Sequence, residues 1–187
     1  MSIALIIVIV VVVIIVLWII SGYNGLIKQR NSVREAFSTM DVYLKKRFDL
    51  IPNIVETVKG YASHEKETLT RVIEARNAIS TTAPSADRIQ SENELSGALR
   101  QLFALSESYP DLKANTNFMD LQNQLKSIEE DIANSRKYYN ATVKTYNNKV
   151  QMFPGNIIAG IFHFSEEPMF EVDSAEERQN VKVSFDA

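Results

Sequence analysis

The chain has 187 residues, a formal net charge of −3 and no cysteine, a length that fits one domain with room for a real core. Without cysteine, disulfides, thiol nucleophiles, iron–sulfur clusters and cysteine-based zinc sites are excluded. The small negative balance argues against a phosphate-backbone binder, because such proteins gather Lys and Arg on one face, so no nucleic-acid partner is expected.

The first element runs from Ile3 to Ile20 as IALIIVIVVVVIIVLWII, without a charge and with only the Trp18 indole as a polar handle. As a helix it covers about 27 Å, close to the thickness of a hydrocarbon core. Val and Ile are weak helix formers in water, but in lipid every backbone group must be satisfied within the segment, which leaves the helix as the solution. Trp18 and Tyr23 stand where aromatic residues anchor at a membrane interface. A cleaved signal peptide fits badly: there is no basic stretch ahead of the apolar run, the run is long, and no small-x-small site precedes the first polar residues. The anchor is expected to stay attached. Lys28, Arg30 and Arg34 follow the span closely and only Ser2 and the α-amino group precede it, so the positive-inside rule predicts a short N-terminus outside and the rest in the cytoplasm.

Beyond the span the charge is uneven. Residues 23–61 hold seven basic against four acidic side chains, whereas the stretch after Phe164 is acidic. An apolar seam through Val33, Phe37, Met40 and Leu44 resumes through Ile51, Ile54 or Val55, Val58 and Ala62 to Leu69, Val72 and Ile79, with Pro52 between its halves. Lys45, Lys46 and Arg47 suit the negative end of a finishing helix, and Asp49 can cap a new one that tolerates Pro52 in its first turn. This predicts two helices, 24–48 and 50–80, with a single kinked helix as the alternative. Thr81 to Ser85 reads as a loop. A third helix, 86–108, carries Ile89, Leu95, Leu99, Leu102, Phe103 and Leu105 and stops at Pro110. In the fourth, Phe118, Leu121, Leu125, Ile128, Ile132, Tyr139, Val143, Tyr146, Val150 and Phe153 recur at three- and four-residue steps, with Ser135 at the one missing step. Asn117 is the expected cap and Phe153-Pro154-Gly155 the end, which gives about 37 residues and a length near 55 Å.

These elements predict an all-α protein: an N-terminal transmembrane helix followed by an up-and-down four-helix bundle of long antiparallel helices, joined by short connections. A strand is considered only near Val181 to Phe185. The organisation expected is a transmembrane anchor over 1–22, a helical bundle over 23–164 and an acidic tail over 165–187. With the first helix leaving the membrane, the fourth must return toward it. The apolar segment from Ile157 to Phe164 would then lie at the bilayer, as a surface anchor, as the cap of the bundle or as a contact with a neighbouring subunit.

The chain carries little that resembles a catalytic site. His64-Glu65 begins a zinc-protease pattern, but the second histidine would fall at Thr68; the di-iron pattern would need a glutamate at Tyr61. Two histidines leave few bases for Ser32, Ser38, Ser63 or Ser135, and glycine is too sparse for a phosphate loop. Glu129-Glu130-Asp131 reads as a solvated face. Three Tyr-Asn pairs stand out: Tyr23-Asn24, Tyr139-Asn140 and Tyr146-Asn147. The last two are seven residues apart, on one face of the fourth helix, and the topology brings Tyr146-Asn147 toward Tyr23-Asn24. Buried hydroxyls and amides need partners, so these residues either lock the bundle's register or form a partner-binding patch. The candidate interaction residues are therefore Tyr23, Asn24, Tyr139, Asn140, Tyr146, Asn147, Ile157, Ile161, Phe162 and Phe164; no catalytic, cofactor or metal residue is named.

The stretches YNGLIKQRNSVREAFSTMDVYLKKRFDLIPNIVETVKGYASHEKETL, SESYPDLKANTNFMDLQNQL and IEEDIANSRKYYNATVKTYNNKVQMFP resemble, in order, the LemA family. The resemblance covers residues 23–164; Phe37 stands where such sequences often carry Trp, and Met40 where an Ile is common. It implies a small bacterial membrane protein with a short exposed N-terminus, one anchor and a cytoplasmic four-helix bundle; it does not imply an enzyme, and none is expected. Family members are tied to envelope stress, membrane proteases and, in magnetosome relatives, membrane shaping. The function expected is a homo-oligomeric scaffold on the membrane lipid, in envelope organisation or membrane shaping. The alternative is an adaptor that presents helix faces or the acidic tail to a membrane enzyme such as a stress-linked protease. Neither requires a cofactor or a small-molecule substrate.

Overall fold

In the computed structural model, residues 2–79 and 85–171 are described. Every regular element among them is a helix, and no strand occurs among the described residues. The elements are α1 (Ile3–Tyr61), α2 (Lys66–Asn77), α3 (Ala86–Ser106), α4 (Pro110–Lys113), α5 (Thr116–Gln151) and α6 (Gly155–Ile161). The strand considered near Val181 lies outside the described residues, as do Thr81 to Pro84; Ser85 is the N-cap of α3, its Oγ accepting from the Arg88 amide at 3.2 Å.

α1 is one helix of 59 residues with Pro52 inside it, which corrects the expected break near Asp49. A proline in a helix removes the amide that would bond the carbonyl four residues earlier, here that of Phe48. That carbonyl finds another donor: Arg76 Nε of α2 bonds it at 3.1 Å, and the Arg76 guanidinium lies 3.8 Å from the centre of the Phe48 ring. Pro52 itself is exposed, so its ring burdens no core contact. Asp49 is therefore interior to a helix and not a cap. The true break follows Gly60-Tyr61, where a short turn through Ser63 and His64 leads into α2.

The described residues sort into two compact units, 2–46 with 128–169, and 47–79 with 85–127, 170 and 171; α1 and α5 contribute to both. In the second unit, Ile51, Ile54, Val55, Val58 and Ala62 form a core with Leu69 and Val72 of α2, with Leu95, Ala98, Leu99 and Leu102 of α3, and with Leu112, Phe118 and Leu125. This is the 3.5-residue seam of the sequence carried round a turn. Inside it sits an ion pair. Arg47 Nη2 meets Glu92 Oε2 at 2.6 Å with the two side chains 1% and 2% exposed, Arg47 Nη1 donates to Ser96 Oγ, and Arg88 lies on the far oxygen of Glu92. Arg47 is thus a core residue, not the exposed helix-end cation that its run with Lys45 and Lys46 predicts. Asn115, and not Asn117, caps α5: its Oδ1 accepts from the Phe118 amide while its Nδ2 donates to Tyr61 Oη.

In the first unit, Leu26, Val33, Ala36, Phe37, Met40 and Leu44 of α1 are buried, as are Ile132, Ser135, Tyr139, Val143 and Tyr146 of α5. The two stretches run antiparallel. Phe37 meets Tyr139 edge-on with ring centres 5.7 Å apart, and nearer the start of α1 the amine of Lys149 lies beside Gly25. Ser135 sits buried at the missing step of the seam because its hydroxyl is turned back on its own helix, donating to the Asp131 carbonyl at 2.5 Å.

Candidate functional site

All ten candidate residues lie in the first unit, and their geometry follows from how α5 ends. Gly155 opens α6 where a Cβ would stand 2.3 Å from the Lys149 carbonyl oxygen, so only glycine permits this turn. α6 then lays Ile158 and Ala159 against the protein, with Ile158 over Gly22: a Cβ there would meet Ile158 Cδ1 at 2.1 Å. The helix closes with a Schellman-type turn. His163 takes φ 56°, and the Phe164 amide bonds the Ala159 carbonyl at 2.9 Å. His163 is an exposed turn residue.

That turn sends the chain back along α5 in extended form, and the tyrosine and asparagine side chains receive it. Tyr146 Oη donates to the Ser165 carbonyl at 2.9 Å and Tyr139 Oη to the Pro168 carbonyl at 2.8 Å. Asn147 pairs with both backbone groups of Glu167, its Nδ2 donating to the carbonyl at 2.9 Å and its Oδ1 accepting from the amide at 3.0 Å. Burial first, and then the Glu167 carboxylate, push both phenols above the ordinary 10.0; Arg30 and Arg34 partly oppose this at Tyr146. Both hydroxyls are therefore neutral donors at physiological pH. The seven-residue spacing works as a ladder that holds a strap of the same chain.

The remaining candidates divide by environment. Tyr23 packs its ring against Phe162 at 4.8 Å and Phe164 at 5.7 Å, and the Arg30 guanidinium lies 5.0 Å from the centre of the Phe164 ring. Phe164 is buried, Asn140 half-buried and Asn24 exposed. The geometry gives no direct bond between Tyr23-Asn24 and Tyr146-Asn147; Tyr23 meets Phe164, and Tyr146 holds the neighbouring Ser165. Ile157 and Ile161 of α6 and Phe162 just after it are exposed, as are Met152 and Phe153 just before it. Sequence reasoning missed the strap, since residues 165–171 read as acidic tail; the signal was there in Phe164, Pro168 and Phe170, three anchors among the acids.

The arrangement is one of side chains satisfied by the chain's own backbone, and it offers no activated nucleophile or paired acid and base. Among the described residues no three His, Cys, Asp or Glu side chains gather as a metal set. A model of the LemA family matches residues 36–185. The chain belongs to the LemA family. It is 27% identical over 168 residues to Protein LemA of Metamycoplasma hominis, covering 83% of this chain and 75% of that one. It is 21% identical over 179 residues to Magnetosome protein MamQ 2 of Paramagnetospirillum magneticum, covering 82% of this chain and 66% of that one. A MamQ protein of Magnetospirillum gryphiswaldense matches at 21% identity, covering 81% and 65%. This chain thus spans just under two thirds of the magnetosome relatives' length. In this LemA chain one helix among the described residues, α1, is long and apolar enough over its first part to cross a membrane, and that part is unburied.

Proposed function

We propose that this LemA protein is a non-enzymatic, membrane-anchored scaffold that assembles through copies of itself, with its helices forming a four-helix bundle on the cytoplasmic side. The observation that carries the reading is the continuity of α1. The same helix that exposes Ile3 to Ile20 enters a packed unit through Leu26 and Val33 without a break, so the apolar stretch and the first part of the helical body share one continuous helix. A flexible tether would suit a protein that searches for substrate; a stiff one transmits position and suits a component that orders its neighbours in the plane of a membrane. The polar ladder of α5 is consistent with this, because it is spent on the chain's own strap and not turned toward a ligand.

The test is the particle extracted in mild detergent. Light scattering coupled to size exclusion is expected to report a defined assembly of one chain. A monomer that instead retains one membrane enzyme would support the adaptor reading, which the acidic stretch after Phe164 favours, seven acidic against two basic residues over 165–187. A monomer without any companion would remove both.

A further inference from the structure

We propose that α6 and the residues just before it form a foot that lies in the interface of the same bilayer α1 crosses, with Met152, Phe153, Ile157, Ile161 and Phe162 among the upper acyl chains. The inference rests on the membrane-anchor reading of α1 and is independent of self-assembly.

α6 has two apolar faces and only one of them is used. Ile158 and Ala159 are 1% and 3% exposed, whereas Ile157 and Ile161, four residues apart and so on one face, are 45% and 58% exposed. Phe153 and Met152 add 78% and 63%. A soluble surface rarely keeps so many large apolar side chains together. What covers them is set by position. Ile158 rests over Gly22 and the Phe162 ring against Tyr23, and Gly22 lies only about 3 Å of helix rise beyond Ile20, the last residue of the span. The foot is therefore registered to the depth at which α1 leaves the hydrocarbon. Basic groups stand just above it. The Lys149 amine lies beside Gly25, roughly 7 Å of rise past the span and so at the depth of headgroups, and Lys28 is exposed less than a turn further on. Apolar side chains below and amines above is the pattern of an element lying on a membrane. A second copy of the chain could cover the apolar residues, but nothing would then tie them to this single depth.

The absence of cysteine allows a direct measurement on the full chain. Phe153→Cys and Ile161→Cys, both at exposed positions, are labelled with an environment-sensitive fluorophore and reconstituted in phosphatidylcholine vesicles. Val10→Cys marks the span, and Glu67→Cys, whose native side chain is 91% exposed, marks water. The foot is expected to show quenching by lipids spin-labelled near the headgroup roughly twofold stronger than by deep labels, with little quenching by aqueous iodide; Val10 should show the reverse depth order. Iodide quenching at 153 and 161 equal to that at Glu67, with Val10 still quenched by deep labels, rejects the foot and leaves the span intact. Shielding from both iodide and spin-labelled lipid also rejects it, by placing another copy on the surface. Iodide access at Val10 overturns the anchor reading and the foot together.

Discussion

Pro52 and Arg76 show how one residue's defect is repaired by another 28 positions from the affected carbonyl. Arg76→Met should cost about 1–3 kcal/mol, because the Phe48 carbonyl loses its donor and the ring its cation. In a Pro52→Ala background the restored amide takes that carbonyl, so the same substitution should cost no more than the ring contact, about 1 kcal/mol or less. Thermal melts of the four proteins followed by circular dichroism measure the cycle; an equal cost in both backgrounds would falsify the repair. This is also why the course of α1 was not legible in sequence. Local rules read Lys45-Lys46-Arg47, Asp49 and Pro52 as an end and a start, and what overrides them is a side chain on another helix. The tyrosines carry a second residue-scale expectation. Their folded-state pKa values are raised above 10.0, so the neutral phenol is the form the fold prefers. Their stabilising contribution is complete below pH 10 and is lost as pH rises from there through the folded values. Tyr139→Phe should cost on the order of 1 kcal/mol at neutral pH through its lost bond to Pro168. In denaturant titrations it should also show a shallower fall in stability above pH 10 than the parent; identical slopes would mean that the Tyr139 phenol does not titrate with unfolding.

At the scale of elements, periodicity was a good guide where packing alone decides the outcome. The seam of α5 survives in the structure: Phe118, Leu125, Ile132, Tyr139, Val143 and Tyr146 are buried, and Leu121, Ile128 and Val150 are half-buried. It ends at Gln151, two residues early, which leaves Phe153 in the open. The strap was less legible, because an extended segment held by side chains of other elements has no periodic pattern to read. Composition classed it with the acids around it. α6 was visible as an apolar segment but not as a helix with one face used, since that depends on Gly22 and Gly155 clearing space. The two glycines of α6 give a matched test. Gly155→Ala places a methyl against backbone, the Lys149 carbonyl, and should cost about 1–3 kcal/mol and loosen the turn into α6. Gly160→Ala meets nothing within 4 Å and should be neutral or stabilise by up to about 1 kcal/mol through helix propensity. Melting temperatures together with limited proteolysis near Phe164 separate them, and equal behaviour would show that α6 is not seated through Gly155.

For the molecule as a whole, the charges that follow the apolar stretch of α1 predict the side of the membrane on which the rest of the chain lies. α1 leaves the apolar stretch at Ile20 and meets Lys28, Arg30 and Arg34 within its next four turns, and positive charge in that position is retained on the cytoplasmic face. One of these cations has a packing contact as well: the Arg30 guanidinium lies 5.0 Å from the centre of the Phe164 ring. Thiol labelling reads the orientation directly. In a chain without cysteine, Glu67→Cys provides a single exposed thiol in α2, far along the sequence from the span. If the helical body is cytoplasmic, this thiol should resist a membrane-impermeant maleimide in intact cells and react fully after lysis, while Ser2→Cys at the other end of the span should react before lysis. Labelling of Glu67→Cys in intact cells, with Ser2→Cys protected, would invert the orientation. In that case Arg30 would owe its place to the Phe164 ring, and any enzyme partnered by this LemA chain would have to be sought on the opposite face.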